Sequence, residues 1–272
     1  MTTAPHIALD SAGPAAVDGR HIRALTFQSV RMEYLRHVLG EARLTATGSR
    51  ALVVGSGRGL PARGLARVGF EVVAADPSPA ATALAQDADD GLGITYLTAP
   101  AEQLGLPDGS FDLVYCADTL EITERPDAVL VELARVLRPG GVLVYDTVNR
   151  TPVSRLIYLG AFQGFPGTRI MPRGRYAAHR LRRPADLARS LGRAGLAAKD
   201  VSAFKPRGVR SLVRAVRGRR RGTLTDAQLP ELVDMVLEPE GSPVVTYLGY
   251  AVRSRAQSAD ARDVPGGAGE RR

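Results

Sequence analysis

Short apolar runs alternate along the chain with longer segments in which apolar residues recur every three or four positions. The runs at 50–54, 71–75, Ile94–Leu97, Phe111–Cys116, Val142–Thr147, 197–204 and 244–252 are each bounded by Gly, Pro, Asp or Ser and read as buried strands. Between them, the looser spacing predicts helices from Arg20 to about Ala42, over 61–68, over 79–87, from Pro126 to Leu137, and from Pro184 to Gly195. Strands alternating with helices at this spacing call for a parallel sheet with helices on both faces, an α/β doubly wound architecture. No internal repeat is visible.

Two stretches depart from that rhythm. Residues 151–183 mix Leu156, Tyr158, Phe162, Phe165, Ile170 and Met171 with arginines, and read as an insert after the fifth strand. Residues 205–243 form a basic and helical elaboration, in which Thr225-Asp-Ala-Gln has a capping-box pattern and opens a helix expected to continue through Leu232 and Val236. The ends, 1–19 and 254–272, are rich in small and polar residues and are expected to be disordered tails flanking one domain at 20–253.

Charge changes this picture only locally. The 272 residues carry a net +8, but residues 169–222 hold 17 Lys or Arg against two acids, so the remainder of the chain is acidic. A basic surface of this kind can meet nucleic acid, anionic lipid or an acidic partner. Interleaved with apolar side chains over 156–183, it favours an interfacial membrane contact. A recognisable RNA-binding module is absent, which argues against nucleic acid. No apolar run approaches the ~20 residues that span a bilayer. The N-terminus shows no export signal and the lone Cys116 suits a reducing compartment, so a cytoplasmic location is expected. Cys116 lies in a strand and reads as core.

Candidate chemistry begins where the first strand meets Gly55-Ser56-Gly57-Arg58-Gly59. Glycines at alternate positions let backbone approach a ligand where a Cβ would collide, and Asp76 ends the next strand about twenty residues on, where an acid binds ribose hydroxyls. These features point to a nucleoside-type cofactor and leave dehydrogenase and transferase both open.

The later motifs narrow the choice. The glycine turn, Asp76, Ala101-Glu102-Gln-Leu, Phe111-Asp-Leu-Val and Leu137-Arg-Pro-Gly-Gly-Val-Leu together resemble the class I S-adenosylmethionine-dependent methyltransferases over about residues 48–148. The resemblance implies a Rossmann-like, seven-stranded, mostly parallel sheet with an antiparallel last strand. It also implies S-adenosyl-L-methionine as cofactor, held by Gly55, Ser56, Gly57, Gly59, Asp76, Pro77, Ala101, Glu102 and Ala117. Thr147-Val-Asn149-Arg150, the insert with Met171-Pro-Arg-Gly, Leu181-Arg-Arg-Pro184 and Val245-Thr-Tyr247-Leu are similar to the polyprenyl-hydroxyphenol O-methyltransferases of ubiquinone biosynthesis. In that family the insert touches the membrane, where the acceptor resides. That family has Glu-x-x-Glu-His after strand four, linked to catalysis or a divalent metal; this chain has Asp118-Thr-Leu-Glu121-Ile122, and no metal is expected.

The expected reaction is O-methylation of a lipophilic hydroxy-aromatic or similar small molecule. C-methylation, and a methyltransferase fold used only for binding, stay open as alternatives. A phenol must lose its proton, so a base is required. Glu121 is the first candidate and Asp118 the second, both at the C-terminal end of strand four, with His179 a third if the insert folds over the site.

Overall fold

The computed structural model describes residues 5–13 and 15–255. Strands β1 (His6–Ile7) and β2 (Ala16–Val17) form a small parallel pair ahead of helix α1 (Gly19–Ala42). Then follow β3 (Arg50–Val54), α2 (Leu60–Val68), β4 (Glu71–Asp76), α3 (Pro79–Asp87), β5 (Thr95–Thr98), β6 (Phe111–Cys116), α4 (Pro126–Val136) and β7 (Leu137–Val148). The insert opens with α5 (Pro152–Arg155) and a π-helical stretch, Leu156–Ala161, and gives way to α6 (Pro184–Arg193). The chain closes with β8 (Leu196–Pro206), α7 (Val209–Arg221), the short α8 (Leu229–Leu232), β9 (Met235–Glu238) and β10 (Thr246–Arg253).

The sheet runs β5-β4-β3-β6-β7-β10-β8-β9. The β5-to-β7 part is parallel, and β10 lies antiparallel to both β7 and β8. The doubly wound expectation therefore holds, with one strand more than the expected seven. The addition is β9, which pairs antiparallel with β8 through Ala203–Pro206. Val236, expected to continue a helix, lies on this strand, because the turn that Thr225 caps is one 3₁₀ turn and α8 ends at Leu232.

Period-two alternation divides the core. Ala51 and Val53 of β3 point with Leu113 and Tyr115 toward Val30, Tyr34 and Leu35 of α1 and Leu65 of α2. Leu52 and Val54 point with Val114 and Cys116 toward Leu130 and Leu133 of α4 and Leu187 of α6 on the other face. Sheet order reverses at β3, which has β4 on one side and β6 on the other, so a crevice opens at the C-terminal ends of β3 and β6.

The N-terminal segment is not a loose tail where it is described. Val17 is fully buried, and Asp18 caps α1 by accepting from the backbone N–H groups of Arg20 (3.0 Å) and His21 (3.1 Å). Its order comes from ion pairs as much as from apolar burial, since Asp18 also pairs with Arg58 at 2.7 Å and Asp10 with Arg20 at 3.4 Å. The expectation for 254–272 lies almost wholly outside the described residues.

Candidate active site

The glycine turn is held at the crevice by its own backbone. Gly55 and Ser56 donate to the Ala75 carbonyl, and Gly59 donates to Ser56. Gly55, Gly57 and Gly59 all take positive φ, and a Cβ at Gly55 would run into Thr119 Oγ1 and the Ala117 carbonyl. Asp76, almost fully buried, reaches back to accept from Gly57 N–H (2.8 Å) and Ser78 N–H (3.0 Å). Arg20 of α1 supplies the remaining donors, with Nη1 3.1 Å from Oδ1 and Nη2 paired with Oδ2. The N-terminal segment thus lies across the turn, and the cleft between them leaves about 10 Å³ beside Asp18, Arg20, His21, Ser56, Gly57 and Asp118.

Beyond the end of β6 the chain builds a buried ionic cluster. Asp118 sits at φ +46°, a left-handed conformation that Asp tolerates better than most residues and that recurs at functional sites. Its carboxylate lies 2.6 Å from Arg23 Nη2 and 2.9 Å from Arg31 Nη2. Arg31 also donates to Asp146 Oδ1 (2.9 Å), and the Tyr115 hydroxyl donates to Asp146 Oδ2 (3.1 Å). Glu121, with no exposed surface, accepts from both Nη groups of Arg23 at 3.1 Å and from Thr147 Oγ1 at 3.1 Å.

Two arginines therefore face three carboxyl groups in a dry setting, and the carboxyls separate in acidity. Burial works to raise Asp118, but Arg23 and Arg31 outweigh it and hold the group well below the usual carboxylate range. Burial pushes Glu121 up to about 7; Arg23 opposes the rise while Asp118 and Asp146 add to it. Burial likewise raises Asp146, against the pull of Arg31. A carboxyl that titrates near neutrality beside one that stays ionised is the arrangement of a base with a fixed counter-charge.

Arg23 also faces a second space. A cavity of about 550 Å³ lies between α1, the insert, α7 and strands β8 to β10, and its walls are overwhelmingly apolar, among them Phe27, Tyr158, Phe204, Ala215, Val216 and Met235. Val153, Val209 and Val244, all exposed, line it at the surface, and Arg23 lines it within. Asp118 lines the cleft beside the glycine turn. The Arg23–Asp118 ion pair thus links the linings of the two spaces.

The methyltransferase-domain family model matches residues 52–145. The ubiquinone biosynthesis O-methyltransferase of Xanthomonas axonopodis pv. citri (strain 306) is 35% identical over 176 residues, 64% of this chain and 71% of the relative. That of Agrobacterium fabrum is 32% identical over 179 residues, 62% of this chain and 71% of the relative. The chain belongs to the ubiquinone biosynthesis O-methyltransferase family. As a member it is an S-adenosylmethionine-dependent methyltransferase. Its fold is also that of the magnesium protoporphyrin IX methyltransferase of Synechocystis PCC 6803 solved with bound S-adenosylhomocysteine, with a TM-score of 0.56, 19% identity and 86% of each chain covered.

The methyltransferase's residues fit the cofactor. Arg20 offers Asp76 two N–H donors from one fork, the same hydrogen-bond pattern that two vicinal ribose hydroxyls present. The Gly55 cradle has no room for a side chain, and Ser56 and Ala117 beside it are small and buried. Pro77 is exposed next to Asp76, while Ala101 is buried and the half-buried Glu102 accepts from Thr123 Oγ1 at 2.6 Å.

Of the catalytic candidates, the structure brings Asp118 and Glu121 together and leaves His179 apart. The His179 side chain is 70% exposed and sits 3.3 Å from the exposed Glu124. The insert reaches the cluster instead through Tyr176, whose hydroxyl accepts from Arg23 Nη1 at 2.8 Å. Among the described residues no three His, Cys, Asp or Glu side chains gather as a metal site. Cys116 is fully buried, and burial pushes its thiol up, in line with a core role. Arg20, Arg23, Arg31 and Asp146 escape sequence reasoning. The one available signal is that α1 carries arginines at 20, 23 and 31 on the side that holds its apolar stripe.

Proposed function

We propose that this methyltransferase methylates a hydroxyl oxygen of a lipophilic hydroxy-aromatic molecule bound in the apolar cavity. The observation that carries the reading is the Arg23–Asp118 ion pair of 2.6 Å, one member of which lines an apolar chamber of about 550 Å³ and the other the cleft beside the glycine turn. A chamber of that size and character suits an aromatic ring bearing hydrocarbon substituents. The relatives named for ubiquinone biosynthesis O-methylation support the same chemistry.

S-adenosylmethionine supplies a methyl group on a sulfonium sulfur, an electrophile that needs only an oriented nucleophile and the exclusion of water. The protein's part is to bind and orient. The Gly55–Gly59 turn and Asp76 hold the cofactor, and the cavity walls hold the acceptor's apolar body. Glu121 accepts the hydroxyl proton, and Asp118, fixed as an anion by two arginines, keeps the cluster's charge in place.

The same reading includes a peripheral contact with an anionic bilayer through 156–183. Leu156 is 64% exposed and Phe165 is 56% exposed in this segment, which also carries Arg169, Arg173 and Arg175. Among the described residues no helix is long and apolar enough to cross a membrane. Flotation with vesicles containing phosphatidylserine should recover the protein with lipid, and Leu156→Asp with Phe165→Asp should leave it at the bottom. Equal recovery of the double variant would remove the contact.

The acceptor reading is tested by following S-adenosylhomocysteine release with catechols that differ only in the length of an alkyl tail. kcat/KM should rise at least tenfold from a methyl to an octyl tail. A tail-independent rate would overturn it.

A further inference from the structure

Arg23 has five N–H donors; three make hydrogen bonds and a fourth faces the Asp118 carboxylate. Nη1 donates to Glu121 Oε1 (3.1 Å) and to the Tyr176 hydroxyl (2.8 Å). Nη2 donates to Glu121 Oε1 (3.1 Å) and lies 2.6 Å from Asp118 Oδ1. The fifth donor, Nε–H, is buried and has no partner. Arg23 lines the wall of the apolar cavity and is hydrogen-bonded to Glu121, so an acceptor oxygen that gives its proton to Glu121 lies within reach of the guanidinium. The guanidinium is also fixed in orientation: its Cζ lies 5.3 Å from the ring centre of Phe27, 5.1 Å from that of Tyr158 and 5.9 Å from that of Tyr176. Phe27 and Tyr158 line the same cavity.

We propose that Arg23 is a catalytic residue that binds the acceptor oxygen directly and stabilises it as an oxyanion. This rests on the reading of the cavity as the acceptor site. Charge balance supports it. When the acceptor hydroxyl gives its proton to Glu121, one carboxylate is neutralised and one oxyanion appears beside it. Arg23, already on Glu121, exchanges one anionic partner for another without any change in the net charge of the cluster. Arg31 stays paired with Asp146 behind it (2.9 Å) and, itself 2.9 Å from Asp118, holds Asp118 ionised. The protein thereby places a fixed cation at the developing phenolate, the work for which a bound metal ion could otherwise serve.

The test uses 4-nitrocatechol, whose ionised form absorbs at longer wavelength than its neutral form, titrated on the full-length protein without turnover. The parent should bind the probe with an ionisation at least one pH unit below that of the free probe. Arg23→Gln should abolish that displacement while S-adenosylmethionine affinity, measured by calorimetry, stays within threefold. Arg23→Lys, which keeps a charge but loses the fork, should show a smaller displacement and a kcat–pH profile moved to higher pH. If Arg23→Gln binds no cofactor and so reports only misfolding, Arg23→Lys carries the test, and parent-like values there would overturn the proposal. A parent that binds the probe without displacing its ionisation, or an Arg23→Gln variant that retains the displacement, would also overturn it. A displaced ionisation with no methylation of any phenol would leave Arg23 as an oxyanion site and defeat the acceptor reading alone. Methylation with no displacement would do the reverse.

Discussion

Arg20 Nη1 lies 3.1 Å from Asp76 Oδ1 while Nη2 is paired with Oδ2, and with Gly57 and Ser78 also donating, every good acceptor position of Asp76 is filled. A ribose that binds Asp76, as the sequence reading expects, must first displace Arg20. The residue that the sequence marks as the cofactor's anchor is therefore held by the N-terminal segment. That segment is itself clipped down by Asp18 with Arg58 and by Asp10 with Arg20.

On that expectation cofactor binding competes with the internal Arg20–Asp76 ion pair. Arg20→Ala should strengthen S-adenosylmethionine binding about fivefold or more, a gain near ~1 kcal/mol on the scale of a partly buried charge pair. Calorimetric titration of the variant against the parent measures it. Weaker binding by the variant would mean that Arg20 serves the bound cofactor instead of opposing it.

Much of this architecture was legible in the sequence, and the reasons are physical. Buried parallel strands are near-continuous apolar runs, so Arg50–Val54 and Phe111–Cys116 stand out with their observed bounds. Prolines at the starts of α3, α4 and α6, and left-handed glycines at Gly55, Gly57 and Gly59, mark boundaries that backbone sterics enforce. β9 was not legible, because four residues at a sheet edge, half-buried in part, carry neither a strong alternation nor a turn signal that separates them from the preceding helix. The folded N-terminal segment was hidden for a different reason: its order depends on partners 40 and 56 residues away, Arg58 for Asp18 and Asp76 for Arg20. The buried ionic cluster was half visible. Glu121 and Asp118 follow from their place after β6, whereas Arg23 and Arg31 look like ordinary helix arginines until α1 is docked with both side chains inward.

Glu121 sets the expected pH dependence of turnover. Burial raises its pKa to about 7, so kcat should climb with unit slope as pH rises toward 7 and level off above it. Glu121→Gln should lower kcat by about 10²–10³-fold and remove that limb, with cofactor affinity unchanged. His179→Ala, at the exposed surface, should leave kcat as it is. Steady-state rates between pH 5 and 9 decide both; a variant at Glu121 with parent-like rates would take the base role from it.

The same group predicts a trend in stability with the opposite slope. Its pKa is raised from an ordinary 4.5, so between about 4.5 and about 7 the folded state holds a proton that the unfolded state has released. The contribution of Glu121 to stability is fully present below 4.5 and is lost as pH rises through about 7. The Tm of Glu121→Gln relative to the parent should therefore increase across that window. A difference in Tm that is flat with pH would show that the folded-state shift is absent.

The cavity can be filled from α7. Ala215 is buried in its wall, and Ala215→Phe places a ring in the space without touching the cofactor turn. KM for an octyl-substituted catechol should rise at least tenfold, on the order of 1.4 kcal/mol. The tail-less compound and the cofactor should be bound as before. Equal loss for both acceptors would mean that the tail does not occupy this chamber.

The proposed reaction transfers the methyl group directly to a phenolic oxygen of an acceptor held in the apolar cavity. Incubation with S-adenosyl-L-[methyl-¹³C]methionine and an octyl-substituted catechol, followed by carbon NMR of the extracted product, tests it most directly. One labelled aryl methyl ether should form with the parent and be nearly lost in Glu121→Gln. A label on ring carbon, or cofactor bound with no label transferred to any catechol, would contradict it.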